Sequence, residues 1–260
     1  VKATVGVLAA VLALLADADE DVTHLAIAFD NPIESWRNER FPAYKSSAGV
    51  DPDLLAQFDL VERACRALGV VVWSMDTHEA DDALATAAAR WRDDVDQVRI
   101  LTPDKDLGQA VVGSRVVQVD RMRDREFDQD GVVGRLGVQP ASVPDYLALV
   151  GDTADGIPGL PGFGAKSAAA VLSRYVTLEA IPRDGDWDVP VRGAARLQAT
   201  LQTGFDDALL YRELATLATD VPLQESLDDL AWRGAPRSVY EDFCDELGVS
   251  TLRDQPTVWV

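Results

Sequence analysis

Cysteine and histidine are scarce in this 260-residue chain, with two of each. Cys65 and Cys244 lie far apart, with no CxxC or Cys/His spacing around them. That excludes a disulfide framework and a thiolate zinc site, and it fits reduced thiols in a cytoplasmic protein. His24 and His78 form no ligand pair; the first reads as a strand residue and the second as a loop residue. Basic residues are a minority too, 24 against 44 acids, for a net charge of −20. A global basic footprint for nucleic acid is therefore absent. The sum leaves room for a local basic face, and any DNA affinity is expected to be weak and strongly salt-dependent. No apolar run reaches the roughly 20 residues that span a bilayer, so no membrane partner is expected. Val5 to Ala16 is almost purely apolar, but only a two-residue basic region precedes the stretch. It reads as a buried first helix ended by the acidic turn Asp17 to Asp21, not as an export signal. Long repeats, low-complexity tracts and EF-hand spacing are also missing.

What is present is enough apolar residue, 47%, to bury a substantial core as one large domain or a domain with an appendage. Three apolar runs rich in β-branched residues, His24 to Phe29, Val70 to Met75 and Val98 to Leu101, are separated by helical patterns and read as buried parallel strands. Each runs out into acid: Asp30 after the first, Glu79, Asp81 and Asp82 after the second, Asp104 and Asp106 after the third. The carboxyl ends of parallel strands gather at one sheet edge, so six acids are expected to meet there. Carboxylates a few ångströms apart cannot all stay ionised without a counter-charge. A divalent cation is the obvious remedy, and an oxygen-only ligand set selects Mg²⁺, Mn²⁺ or Ca²⁺ over zinc.

The spacing refines that expectation. With Thr77 as cap, Glu79 and Asp82 share one face of a helix's first turn. Asp104 and Asp106 flank Lys105 and project to one side, while the lysine faces away or pairs with one of them. Asp152 and Asp155 come after a helix at Asp145 to Val150 and bring the set to eight. Taken singly, each acid reads as a cap or a surface charge; the set reads as a metal site. Further helices are expected at Pro52 to Leu68 and Thr77 to Arg92, a short strand at Arg115 to Val119, helical pattern from Ser142 onward, and a linker at Pro182 to Pro190. Gly156 to Ser167 is a glycine hairpin between two short helices, a geometry that brings backbone N–H groups and Lys166 to a phosphate.

In order, Phe29-Asp30, Glu79-Ala80-Asp81-Asp82, Thr102 to Leu107, Tyr146 to Asp152 and Pro161 to Lys166 resemble the motifs of the 5′–3′ exonuclease and flap endonuclease family. Within it the likeness is to the N-terminal nuclease domain of bacterial DNA polymerase I, and it extends through Asp207 to Arg212 and Asp220 to Pro222 over almost the whole chain. The resemblance implies an α/β fold: a PIN-like core, residues 1–141, with a central mostly parallel sheet flanked by helices and an arch at about 31–50. A C-terminal helical region, 142–260, comes next, with a helix-hairpin-helix at about 145–173. It implies two divalent ions, Mg²⁺ or Mn²⁺, held by Asp30, Glu79, Asp81, Asp82, Asp104, Asp106, Asp152 and Asp155. K⁺ is the ion implied at the hairpin, where Gly159, Gly162, Gly164 and Lys166 grip duplex backbone. Tyr44 matches the family's stacking aromatic and Lys45 its catalytic lysine, with Arg37 and Arg40 as phosphate contacts.

The implied activity is metal-dependent hydrolysis of DNA phosphodiester bonds at 5′ ends, flaps and nicks in replication and repair, by a cytoplasmic monomer with a polymerase as candidate partner. The alternative is a DNA-structure-binding protein of the same fold with impaired catalysis. Two departures bear on that choice. The family begins with an Asp-bearing DGxxLxxR-like strand that nothing before Val1 supplies, so either the chain starts downstream of it or one ligand is lost. In the arch, Tyr44-Lys45 is followed by Ser46-Ser47-Ala48-Gly49 where the family has further basic residues.

Overall fold

Short β-branched stretches make the strands and longer 3.6-periodic stretches the helices, so the two alternate along the first half of the chain. A computed structural model describes residues 1–260. The first half runs α1 (Lys2–Ala16), β1 (Ala26–Asp30), α2 (Trp36–Arg40), α3 (Pro52–Leu55), α4 (Phe58–Ala67), β2 (Val71–Met75), α5 (Ala80–Trp91) and β3 (Val98–Leu101). Strands β4 (Val116–Asp120) and β5 (Arg125–Phe127) precede α6 (Gln129–Leu136), α7 (Val143–Val150) and α8 (Ala165–Tyr175). The chain closes with α9 (Ala194–Thr203), α10 (Phe205–Ala215), α11 (Arg237–Leu247) and α12 (Ser250–Arg253). Two interleaved compact units result, one of Val1–Ser35, Ser46–Ala83 and Pro222–Val260, the other of Trp36–Lys45 and Leu84–Val221.

In the first unit, β1 and β2 pair in parallel from Ala26 opposite Val71 to Asp30 opposite Met75. Leu8, Val11 and Leu12 of α1 join Ala64 and Ala67 of α4 and Tyr240 and Phe243 of α11 in one apolar cluster. Val1 makes no side-chain cap for α1; Gln57 Oε1 instead accepts the Ala3 N–H at 3.0 Å. The apolar segment is thus the buried-faced helix expected, and no helix is long and apolar enough to cross a membrane.

In the second unit, β3 pairs in parallel with β4, and β4 antiparallel with β5. The α/β class and the parallel pairing agree with the expectation. The single central sheet does not: the ladders form a two-stranded and a three-stranded sheet, each closed within its own unit. The helical part is built on α7, whose Leu147, Ala148 and Leu149 are fully buried with Ala168 and Val171 of α8 and Leu214 of α10. Asp145, in the first turn of α7, accepts the Leu178 N–H at 3.0 Å and Arg212 Nη1 at 3.1 Å. Burial still pushes its carboxyl above the usual range. The Pro182 to Pro190 stretch, expected as a linker, is an anchored loop of this unit. Trp187 is buried against Phe163 at 6.5 Å between ring centroids and donates Nε1–H to Pro182 O at 2.8 Å. Its glycine, Gly185, takes φ +76°, and the tryptophan ties the loop down.

Candidate functional site

The first unit gathers acids at the start of α5. Asp30, the last residue of β1, accepts the Ala80 N–H through Oδ1 at 2.6 Å. Asp82, fully buried in the helix's first turn, accepts the Glu79 N–H at 3.0 Å. Glu79 Oε1 accepts the Ser35 hydroxyl at 2.8 Å. The unpaired N–H groups and positive dipole end of α5 thus hold Asp30 and Asp82. The expected Thr77 cap is corrected: α5 begins at Ala80, and Asp82 reaches back to Glu79 as in half a capping box. Asp81 lies half-buried beside them. Behind this group, buried Glu62 accepts Asn31 Nδ2 at 3.1 Å, the Ser74 hydroxyl at 2.7 Å and Arg66 Nη2 at 3.0 Å. The residue after Asp30 is thereby tied to β2.

The second unit gathers the other four. Asp104 caps the 3-10 turn Lys105–Ala110 by accepting the Asp106 N–H at 3.1 Å. Gln118 of β4 steadies that turn, donating to Thr102 O at 3.0 Å and also to Asp104 O. Asp106 is 4% exposed, and its Oδ1 is buried with no hydrogen-bond partner. Lys105 Nζ stands 3.3 Å from that oxygen and also contacts Asp152. Asp155, three residues on, accepts the Tyr44 hydroxyl at 3.1 Å and pairs with Lys45 Nζ at 3.3 Å.

Burial, and then the charge of Asp104, push the Asp106 carboxyl up to about 7, with Lys105 pulling it only partly back. Burial also acts to raise Asp152, but its bond to Lys105 prevails and holds it below the usual range. Lys105 itself is pulled down by burial and held above its usual value by Asp106 and Asp152 together. No three acids, histidines or cysteines within either unit form a closed cage. The donor chemistry suits a hard divalent ion nonetheless, because it is all oxygen and because the buried Asp106 Oδ1 makes no hydrogen bond, with only the Lys105 ammonium 3.3 Å away.

Residues 31–50 carry one short helix, α2, in place of a long helical arch. Two expected roles within it are corrected. Tyr44 is 4% exposed in the apolar cluster of the second unit, so its ring presents no free face for a base, and its hydroxyl positions Asp155. Arg37 is 1% exposed and donates to Leu214 O at 2.7 Å and Thr216 O at 3.1 Å. The carbonyls at the end of α10 lack helical donors and sit at the negative dipole end, which suits them to a guanidinium and holds Arg37 inward. Arg40 stays exposed, in a surface pair with Glu213 at 3.0 Å.

The hairpin between α7 and α8 has the expected form. Phe163 is buried as its anchor, while Pro161, Gly162, Gly164, Ala165 and Lys166 around it are exposed. Gly159 has φ +68°, and a Cβ there would stand 2.4 Å from Gly151 N. Gly162, at φ +91°, also needs the left-handed region. Gly164 caps α8 from extended backbone, its N–H bonded to Ser167 Oγ at 3.0 Å.

Sequence reasoning passes over Ser35, Glu62 and Gln118. Gln118 leaves a signal, as the polar residue inside the apolar run Val116 to Val119, and Glu62 a weaker one, on the inward face of α4. From spacing alone Lys105 pairs with one flanking acid at most; its contact with Asp152 has no local signal. The chain has just four lysines, at 2, 45, 105 and 166, and two of them stand on motif acids.

A family model described as the 5′-3′ exonuclease N-terminal resolvase-like domain matches residues 1–137, and one described as the 5′-3′ exonuclease C-terminal SAM fold matches 138–238. A 5′-3′ exonuclease of Aquifex aeolicus is 31% identical over 230 residues, which is 88% of this chain and 76% of that one. DNA polymerase I of Bacillus caldotenax is 31% identical over 242 residues, 92% of this chain but 27% of the polymerase. The chain therefore spans about a quarter of the length of that relative. Among solved structures, T5 5′-exonuclease with divalent zinc bound has a TM-score of 0.66 at 19% identity, covering 95% of this chain and 90% of that one. The catalytic core of Rad2 in complex with DNA substrate has a TM-score of 0.56 at 16% identity, covering 92% and 78%. At such identities the likeness is one of fold.

Proposed function

The chain belongs to the 5′-3′ exonuclease family, and on that premise we propose that it is a divalent-metal-dependent nuclease cutting DNA phosphodiester bonds at 5′ ends, flaps and nicks in replication and repair. One observation carries the reading: Asp152 and Asp155 lie on the same loop that runs on into the hairpin Gly159 to Lys166, so acids suited to a metal and a loop suited to phosphate are one continuous element.

Asp104, Asp106, Asp152 and Asp155, with Asp30, Glu79, Asp81 and Asp82, are the residues that would hold Mg²⁺ or Mn²⁺. Such ions, when bound, supply an activated water and neutralise charge at the phosphoryl group. Lys45 offers a further positive charge to the phosphoryl oxygens, and its tether to Asp155 keeps it beside the acids. Tyr44 orients Asp155. The exposed hairpin backbone and Lys166 hold duplex phosphates without reading sequence, with K⁺ as the monovalent ion there. The zinc in the T5 structure and the DNA in the Rad2 complex support these two ligands. Free buried thiols at Cys65 and Cys244 support a cytoplasmic setting. A polymerase partner and a monomeric state complete the proposal.

The test is a 5′-labelled flap duplex incubated with the full chain in Mn²⁺, Mg²⁺ or EDTA. Cleavage in metal alone is expected, and Asp104→Asn with Asp106→Asn should lower the rate by at least about 100-fold. A folded chain that retards the duplex in gels and cuts it in no divalent metal would be a DNA-structure-binding protein instead.

A further inference from the structure

Basic residues in this chain are overwhelmingly arginine, 20 of 24. Where a permanent ion pair is needed, arginine supplies it with a planar fork: Arg212 holds Glu179 through both terminal nitrogens at 2.7 and 2.6 Å while bonding Asp145. Lys105 is different in kind. Its ammonium is a compact point charge on a flexible stem, with three donors and no fixed geometry. The side chain is 33% exposed, whereas the side chains of its partners Asp106 and Asp152 are 6% and 7% exposed. The lysine can therefore swing out to water, and the carboxylates cannot accompany it.

Four of the motif acids belong to this part of the second unit, and the Asp106 and Asp152 carboxylates both lie against the one Lys105 ammonium. Like charges at such range need relief, from a retained proton or from a counter-charge. A bound dication would meet that need more fully, and would repel an ammonium resting on the same oxygens. We propose that Lys105 is a built-in counter-ion, which holds Asp106 and Asp152 in place in the metal-free protein and is displaced to solvent when a divalent cation enters. This inference rests on the metal-dependent reading above.

Four lysines make the displacement directly visible. Reductive ¹³C-methylation keeps their charge, and loss of one signal in Lys105→Met assigns the residue. In a Mg²⁺ titration of the methylated wild type, the Lys105 signal should shift along the binding isotherm while those of Lys2 and Lys166 stay put. Calorimetric titration with Mn²⁺ should rank affinities as Lys105→Met above wild type above Lys105→Arg. Each step is expected to be about tenfold, a fraction of the full Coulomb energy because the site is part-exposed. A simply structural lysine would lower Tm equally with and without metal and leave Mn²⁺ affinity unchanged; that result overturns the proposal. Should Lys105→Met fail to fold, Lys105→Gln provides the assignment, and a stationary Lys105 signal during saturating Mg²⁺ binding has the same force. Failure of the underlying reading is distinct, because the wild type would then bind neither Mg²⁺ nor Mn²⁺.

Discussion

Asp106 shows how much stability one residue surrenders for a site. In the folded, metal-free chain its carboxyl keeps its proton to about 7, against an ordinary value of 3.8, because burial and Asp104 disfavour the charge. Folding therefore takes up a proton between those values. The contribution of this group to stability is complete below about pH 4, declines as pH rises through 7, and is flat beyond. Asp106→Asn stays neutral throughout, so in EDTA its advantage over wild type should grow from pH 4 to 7 and level off at on the order of 1–3 kcal/mol. Thermal melts across that range measure it. Added Mn²⁺ should raise the wild-type Tm and leave the variant's almost unmoved. The acids are legible as candidates one by one from the sequence, since each comes after a strand, opens a helix or lies in the loop just after one. Tyr44 and Arg37 are legible only as residue types: nothing local says that one ring enters the core or that one guanidinium meets carbonyls 177 positions away.

Among the elements, the hairpin is where local sequence says most. Gly159 combines φ +68° with a Cβ position 2.4 Å from Gly151 N, so Gly159→Ala forces the loop to move. A loss of about 2 kcal/mol or more is expected in urea unfolding, with weaker binding of a labelled duplex by anisotropy. Gly164→Ala, on extended backbone with open space around it, should change neither by much. A hairpin of this kind is readable because glycine and proline act through their own backbone angles. The start of α5 is ambiguous for the complementary reason, that Thr77, Glu79 and Asp82 all qualify as caps and only the fold selects among them. The Pro182 to Pro190 loop has the composition of a linker, and only the burial of Trp187, a tertiary fact, makes it an anchored one.

Across the whole molecule, charge is unevenly shared. The first unit has 22 acids against 6 bases, the second 22 against 18, so the globally acidic chain keeps most of its basic residues in the unit that contains the hairpin. Duplex binding is expected to fall steeply with KCl. Lys166→Ala, which removes an exposed positive charge proposed to contact phosphate, should reduce the slope of log affinity against log salt by about one, uniformly across DNA sequences. An unchanged slope in anisotropy titrations would remove Lys166 from the interface.

The residues by themselves determined the α/β class, the buried first helix and the position of the hairpin, because these depend on periodicity and on the backbone angles that glycine and proline allow. Tertiary structure alone decided that Lys105 also stands on Asp152, that Tyr44 and Arg37 turn inward, and that the strands form two small sheets. Those outcomes depend on contacts between residues tens to hundreds of positions apart, where burial sets the strength of a charge and no local pattern carries the information.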